Sequence, residues 1–205
     1  MIHTKCKIIG ITGGIATGKS TVSKILRDNG NLVIDADVLS RKVVEIGQPA
    51  YNHIVKNFGT DILNEDKSID RKALGRLIFS DNELKSKLNN ITHPYIFQDM
   101  KKEISKKCRE NRIIFLDIPL LFEEYSKIME LGIDFEETWL VYVNEKAQLS
   151  RLMKRDNLDR AESKKRINSQ MSMDTKYKMA DVIIDNNDDK LILKSNVLSA
   201  LLDLE

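Results

Sequence analysis

The chain has 205 residues, with 33 Lys and Arg against 31 Asp and Glu, for a formal charge of +2 at pH 7. Hydrophobic residues make up 41% and charged residues 31%, a balance that fills a real core. Neither sign of charge is in excess, which argues against a dedicated nucleic-acid binder or a polybasic membrane binder.

Length predicts one domain over 1–205, or one carrying an inserted subdomain. No apolar run approaches the ~18 residues of a membrane span. The basic start, Met1 to Lys7, is followed by an apolar stretch cut short by glycines 13, 14 and 18, unlike a signal peptide. Two cysteines, Cys6 and Cys108, are too few for a disulfide scaffold. They read as small hydrophobes in a reducing, cytoplasmic setting.

In chain order, Lys7-Ile-Ile-Gly-Ile-Thr12 is predicted as a short buried strand and Gly13 to Gly18 as a turn. A helix follows from Ser20 to Asp28, with Val22, Ile25 and Leu26 at helical spacing and Asn29-Gly30 as its stop. Leu32 to Asp35 is a second strand, then a helix through Val38, Leu39 and Val43, broken at Gly47-Gln-Pro49. The block from about 50 to 110 is mostly helical. Asp70 is placed as the N-cap of Arg71–Phe79, and Pro94 in the first turn of a helix carrying Ile96, Phe97, Met100, Ile104 and Cys108. Strands are predicted at 112–118, 138–143 and 182–185, a charged helical stretch from Glu145 to about Gln170, and a closing helix from Lys190 to Leu204. Trp139, inside a strand, reads as core. Five buried-type strands alternating with helices predict an α/β fold with a parallel sheet. The long block after the second strand is then an insertion. In such sheets ligands bind at the carboxyl ends of the strands.

The residues after the first strand, Gly13-Gly-Ile-Ala-Thr-Gly18-Lys19-Ser20-Thr21, contain the Gly-x4-Gly-Lys-Ser pattern. Its glycines let backbone N–H groups turn inward to phosphate oxygens, Lys19 reaches the β/γ-phosphates, and the Ser20 hydroxyl suits Mg²⁺. Gly14, Ile15, Ala16, Thr17, Gly18, Lys19, Ser20 and Thr21 are therefore candidate ATP-binding residues. The markers of a GTPase are missing: no glycine follows an Asp by three residues, and Asn-Lys-x-Asp does not occur.

Asp35 and Asp37 end the second strand one residue apart. In an extended segment both point the same way, so that one takes a proton from an attacking hydroxyl while the other holds metal-bound water or a lysine. Either can instead cap the next helix, where Arg41 lies one turn beyond Asp37.

The phosphate loop together with Val33-Ile-Asp-Ala-Asp37 and Arg41 resembles the dephospho-CoA kinase family. Further matches run in order: Thr92-His93-Pro94, Asp117-Ile-Pro119-Leu-Leu-Phe-Glu123, Gln148-Leu-Ser-Arg151-Leu-Met-Lys-Arg155, Arg166-Ile167 with Gln170, and Ala180-Asp-Val-Ile-Ile-Asp185-Asn186. Ala16 stands where many members carry Gly, a change expected to matter little, and Arg160 matches no family position to which a role attaches.

The resemblance implies a P-loop NTPase fold with an acceptor-binding helical insertion and a charged lid at about 145–172. It implies transfer of the ATP γ-phosphate to the ribose 3′-hydroxyl of dephospho-CoA, with Mg²⁺, by a cytoplasmic monomer or weak homo-oligomer. Asp37, Lys19 and Arg155 are then the catalytic candidates, and Arg151 and Asn186 join the ATP site. Asp35, Arg41, His93 and Leu120 face the acceptor, and Ser20 and Asp117 serve the metal. Each has a plainer reading on its residues alone. His93 can be a packing residue, Asp117 a strand-end carboxylate bonded to backbone, and the arginines of 151–166 a solvated helix face. The rivals are another small-molecule P-loop kinase, such as a nucleoside monophosphate kinase, and a nucleotide-binding regulatory module without turnover.

Overall fold

The computed structural model describes residues 6–79 and 81–204. The elements run β1 (Lys7–Gly13), α1 (Lys19–Asp28), β2 (Val33–Asp35), α2 (Ala36–Lys42), α3 (Pro49–Phe58), α4 (Arg71–Phe79), α5 (Asn82–Lys107) and β3 (Ile113–Asp117). After these come α6 (Tyr125–Glu130), β4 (Glu137–Tyr142), α7 (Glu145–Asp156), α8 (Arg160–Asn168), α9 (Met173–Met179), β5 (Val182–Asp185) and α10 (Lys190–Leu202). Among the described residues no helix is long and apolar enough to cross a membrane.

The chain divides into two compact units, one formed by the residues up to Asp35 with those from Ile104 onward, the other by residues 36–103. The first holds a five-stranded sheet in the order β2-β3-β1-β4-β5. Every pairing is parallel, so all five carboxyl ends share one edge. Ile11 of β1 and Asp35 of β2 both lie in register with Asp117 of β3, and Gly13 with Val141 of β4. The core joins Ile9, Ile11, Phe115, Trp139, Val141 and Ile184 of the strands to Val22 and Leu26 of α1 and to Leu193 and Val197 of α10. Apolar runs in these strands follow from burial on both faces, as parallel sheets require. The Phe115 and Trp139 rings meet edge to face, 5.3 Å apart. Gly10 lacks a side chain because a Cβ there would lie 2.8 Å from Leu121.

The 36–103 unit is helical, with its own core of Ile54, Ile62 and Leu74, against which Val44, Phe58, Ile69, Leu88 and Ile91 pack. Asp70 caps α4 as expected, its Oδ1 accepting from the N–H groups of Lys72 and Ala73 at 2.8 and 3.1 Å. The Ala73 N–H holds the Asp70 carboxyl below the usual aspartate range.

Pro94 lies inside α5, not in a first turn. The proline is exposed, so its lost backbone bond falls on the wet side while buried Met100 and partly buried Ile91 carry the helix past it. The charged stretch after Glu145 is two helices, separated at Asn157, which adopts a left-handed φ of 52°. The short helices α6 and α9 are additional elements that the apolar pattern of the sequence does not predict. Cys6 and Cys108 are not separate small hydrophobes but form a disulfide, with Cα atoms 5.4 Å apart. They are brought together because Lys7 pairs with Ile113 at the start of β1 and β3, directly after α5. Sequence spacing carries no sign of that neighbourhood.

Candidate active site

The phosphate loop bridges the end of β1 and the start of α1. Within it Thr17 closes the turn, donating from its N–H and its Oγ1 to the Gly14 carbonyl at 3.2 and 2.9 Å. Gly18 occupies the N-cap of α1 with φ 94°, and a Cβ there would collide with the Asn186 amide. Glycine is therefore required at that position on both counts. Ala16 also sits in the left-handed region, at φ 61°. That conformation costs an L-residue about 1–2 kcal/mol, so the departure treated as silent in the sequence carries strain.

Lys19, the first residue of α1, forms an ion pair with Asp117 at the carboxyl end of β3. Asp117 is only 2% exposed, and its other oxygen accepts from the Ser23 hydroxyl at 2.5 Å. A buried carboxylate needs this second partner, so Ser23 belongs to the site although it lies outside the Gly-Lys-Ser motif. Its signal was a polar residue between Val22 and Leu26 on the buried face of the helix. Ser20, in the first turn of α1, is exposed. Among the described residues no group of three or more His, Cys, Asp or Glu gathers around a metal position. One hydroxyl and one carboxylate fit an ion held mainly by phosphate oxygens, as Mg²⁺ is, and not a protein-only cage.

Asp35 ends β2, and the Arg27 guanidinium of α1 lies 3.8 Å from its carboxylate. The expectation that Asp35 and Asp37 alternate along one extended segment does not hold, because α2 begins at Ala36. Asp37 instead occupies the first turn of α2, where a carboxylate favours the positive end of the helix dipole. Asp37 and Arg41 are both exposed and, like His93, belong to the 36–103 unit. His93 lies in the middle of α5, its ring 5.4 Å from Phe97 in an edge-to-face contact. Leu120, in the turn after β3, is 40% exposed.

Asn144 caps α7, accepting from the Ala147 N–H at 2.9 Å. Arg151 donates to the Asn186 carbonyl at 2.8 Å, and the Asn186 amide donates to the Thr17 carbonyl at 2.7 Å. Arg151, Asn186 and the phosphate loop are thus directly connected. Arg155 grips its neighbour Asp156 through Nε at 2.7 Å and Nη2 at 3.1 Å. The hydrogen bond from Arg155 holds the Asp156 carboxyl below the usual range, and Arg166 adds to this from 3.4 Å. On α9 Lys176 is fully buried, with its ammonium 2.9 Å from the Glu123 carboxylate. Glu123 also accepts from the Met171 N–H at 3.1 Å. Nothing in the sequence marked Lys176, one of many lysines in a charged stretch.

A strand–loop–helix carrying Gly-Lys-Ser, a sheet in the order 2-3-1-4-5 and a β3 carboxylate on the loop lysine define a P-loop phosphotransferase. The family model described as dephospho-CoA kinase matches residues 7–191. The dephospho-CoA kinase of Carboxydothermus hydrogenoformans is 45% identical over 95% of this chain and 92% of its own. Among solved structures, the Thermus thermophilus protein TT1252 superposes with a TM-score of 0.82 at 32% identity, covering 98% of each chain. The dephospho-CoA kinase of Campylobacter jejuni gives 0.71 at 30% identity, covering 96% of each. The chain belongs to the dephospho-CoA kinase family.

Proposed function

We propose that this chain transfers the γ-phosphoryl group of ATP to the ribose 3′-hydroxyl of dephospho-CoA, giving coenzyme A. The observation that carries this reading is the Lys19–Asp117–Ser23 cluster beneath a phosphate loop, in a chain matched to the family over residues 7–191. Loop N–H groups and Lys19 bind the phosphates. Arg151 and Arg155 close over the nucleotide and stabilise charge on the transferring group, and Asn186 borders the adenine. Ser20 and Asp117 would hold Mg²⁺, which supplies charge neutralisation at the phosphates. Arg41, His93 and Leu120 bind the acceptor, and Asp35, on the acceptor's side of the site, would hold water bound to Mg²⁺.

Asp37 orients the acceptor hydroxyl and takes its proton. In a loose phosphoryl-transfer transition state the hydroxyl is still largely protonated, so orientation outweighs basicity. Phosphorus exchanges its bond to the β,γ-bridging oxygen for one to the ribose oxygen, and ADP leaves. The test is ADP release measured with dephospho-CoA, AMP, dTMP or no acceptor. Turnover with dephospho-CoA alone supports the reading. Equal or faster turnover with a nucleoside monophosphate makes the chain a kinase of another acceptor, and no turnover with any of them makes it a binding module.

A further inference from the structure

The backbone of Ile15, at the apex of the phosphate loop, is held on both sides by side-chain amides. Gln170 Oε1 accepts from the Ile15 N–H at 2.8 Å, and Gln148 Nε2 donates to the Ile15 carbonyl at 2.9 Å. Gln148 sits on α7 and Gln170 just beyond α8, so the two grips come from opposite ends of the lid. We infer that Gln148 and Gln170 form a clamp that sets the direction of the loop N–H groups, which makes them positioning residues for nucleotide binding. This inference rests on the kinase reading above.

A trans peptide is planar, with C=O and N–H pointing opposite ways. Fixing the Ile15 carbonyl on Gln148 therefore aims the Ala16 N–H away from α7. Fixing the Ile15 N–H on Gln170 aims the Gly14 carbonyl the other way, where it accepts from the Thr17 Oγ1 and N–H at 2.9 and 3.2 Å. The Ile15 N–H is thereby removed from the set of phosphate donors, and the Ala16 N–H is pointed. Holding Ala16 at φ 61° needs such outside support, because an alanine does not settle there unaided.

Two further observations fit a built clamp. Gln148 is 2% exposed, so its amide has to find partners inside the protein. Gly14 makes room for it, since a Cβ at that position would stand 2.6 Å from Gln148 Nε2 and 2.9 Å from Met173 Sδ. Gln170 in turn is anchored through its neighbour, as the Met171 N–H donates to Glu123. Both glutamines line a cavity of about 340 Å³ with Tyr142, Ile167 and Met171. On that side hydrogen bonds, and not packing, hold the two amides in place.

The test has two readouts on the full chain: hydrogen exchange of the Ile15 amide without nucleotide, and steady-state kinetics with ATP and dephospho-CoA. We expect Gln170→Leu to speed Ile15 exchange about tenfold and raise KM for ATP about tenfold, as loss of one well-formed hydrogen bond does. KM for the acceptor should stay within twofold. Gln170→Glu keeps an acceptor oxygen, so Ile15 protection returns while the added charge still weakens ATP. Gln148→Glu turns an oxygen toward the Ile15 carbonyl and should raise KM for ATP as well. Equal Ile15 exchange in wild type and Gln170→Leu overturns the clamp, and so does an unchanged KM for ATP in folded Gln170→Leu and Gln148→Glu. If the wild type does not turn over ATP, the kinase reading fails, and the exchange result still decides the clamp.

Discussion

Lys176 gives the most direct test of how α9 is anchored. Its side chain is fully buried, its ammonium lies 2.9 Å from the carboxylate of Glu123, and Glu123 is 19% exposed. Glu123→Gln keeps the shape and leaves a carbonyl oxygen for the Met171 N–H, but removes the charge opposite the ammonium. Breaking a buried pair from one side costs about 3–5 kcal/mol, and the partial exposure of Glu123 points to the lower end, about 3 kcal/mol. For a chain of this size that is about 6–12 °C in Tm. The assay is calorimetry combined with urea titration followed by Trp139 fluorescence. Trp139 is the single tryptophan, fully buried in the unit that contains the pair. Adding Lys176→Met removes the stranded ammonium at similar volume and should bring stability back to within about 1 kcal/mol of wild type. If Glu123→Gln changes stability by less than about 0.5 kcal/mol, or if the double variant is no better than the single one, the pair does not anchor α9.

Asp37→Asn should fold, bind ATP normally and lose about two or more orders of magnitude in kcat, while Asp35→Asn should show an altered Mg²⁺ dependence. A Mg²⁺ titration of both variants checks the assignment, and the opposite pattern exchanges the two roles. Arg155→Ala should lower kcat more than it raises KM for ATP if the arginine acts in the transition state, and the reverse split would make it a ground-state clamp. The Cys6–Cys108 bond spans 102 residues, and a loop near that length is worth about 4–5 kcal/mol to the folded chain. Reductant should therefore lower the urea midpoint of the wild type and leave that of Cys108→Ser unmoved.

The parts of this protein legible in its sequence are those written in local pattern. The apolar runs of β1, β3 and β4 declare a sheet buried on both faces, the glycines and Lys19 declare the loop between strand and helix, and Asp70 declares the start of α4. What was not legible depends on distant neighbours. Pro94 punctuates a chain in isolation, yet packing on the dry side of α5 outweighs one lost bond. The start of α2 at Ala36 is set against the pull of Asp35 and Asp37, residues as suited to a turn as to a helix. Cys6 and Cys108 meet only because β1 and β3 pair. Lys176 looks like surface until the fold brings Glu123 to it, and Gln148 and Gln170 gain meaning only against Ile15.

The resting partner of Lys19 bears on which anions the loop accepts. A ring of inward N–H groups at a helix N-terminus attracts any small oxyanion, inorganic phosphate included. Here the strongest cation of that cradle is already neutralised by Asp117. An incoming ion must outbid a carboxylate for it. A lone phosphate offers few contacts in return, whereas a chain of linked phosphates has more oxygens to set against the N–H groups of the loop and the helix end. The Ser23 hydroxyl holds Asp117 by its other oxygen, so the carboxylate is fixed independently of the lysine.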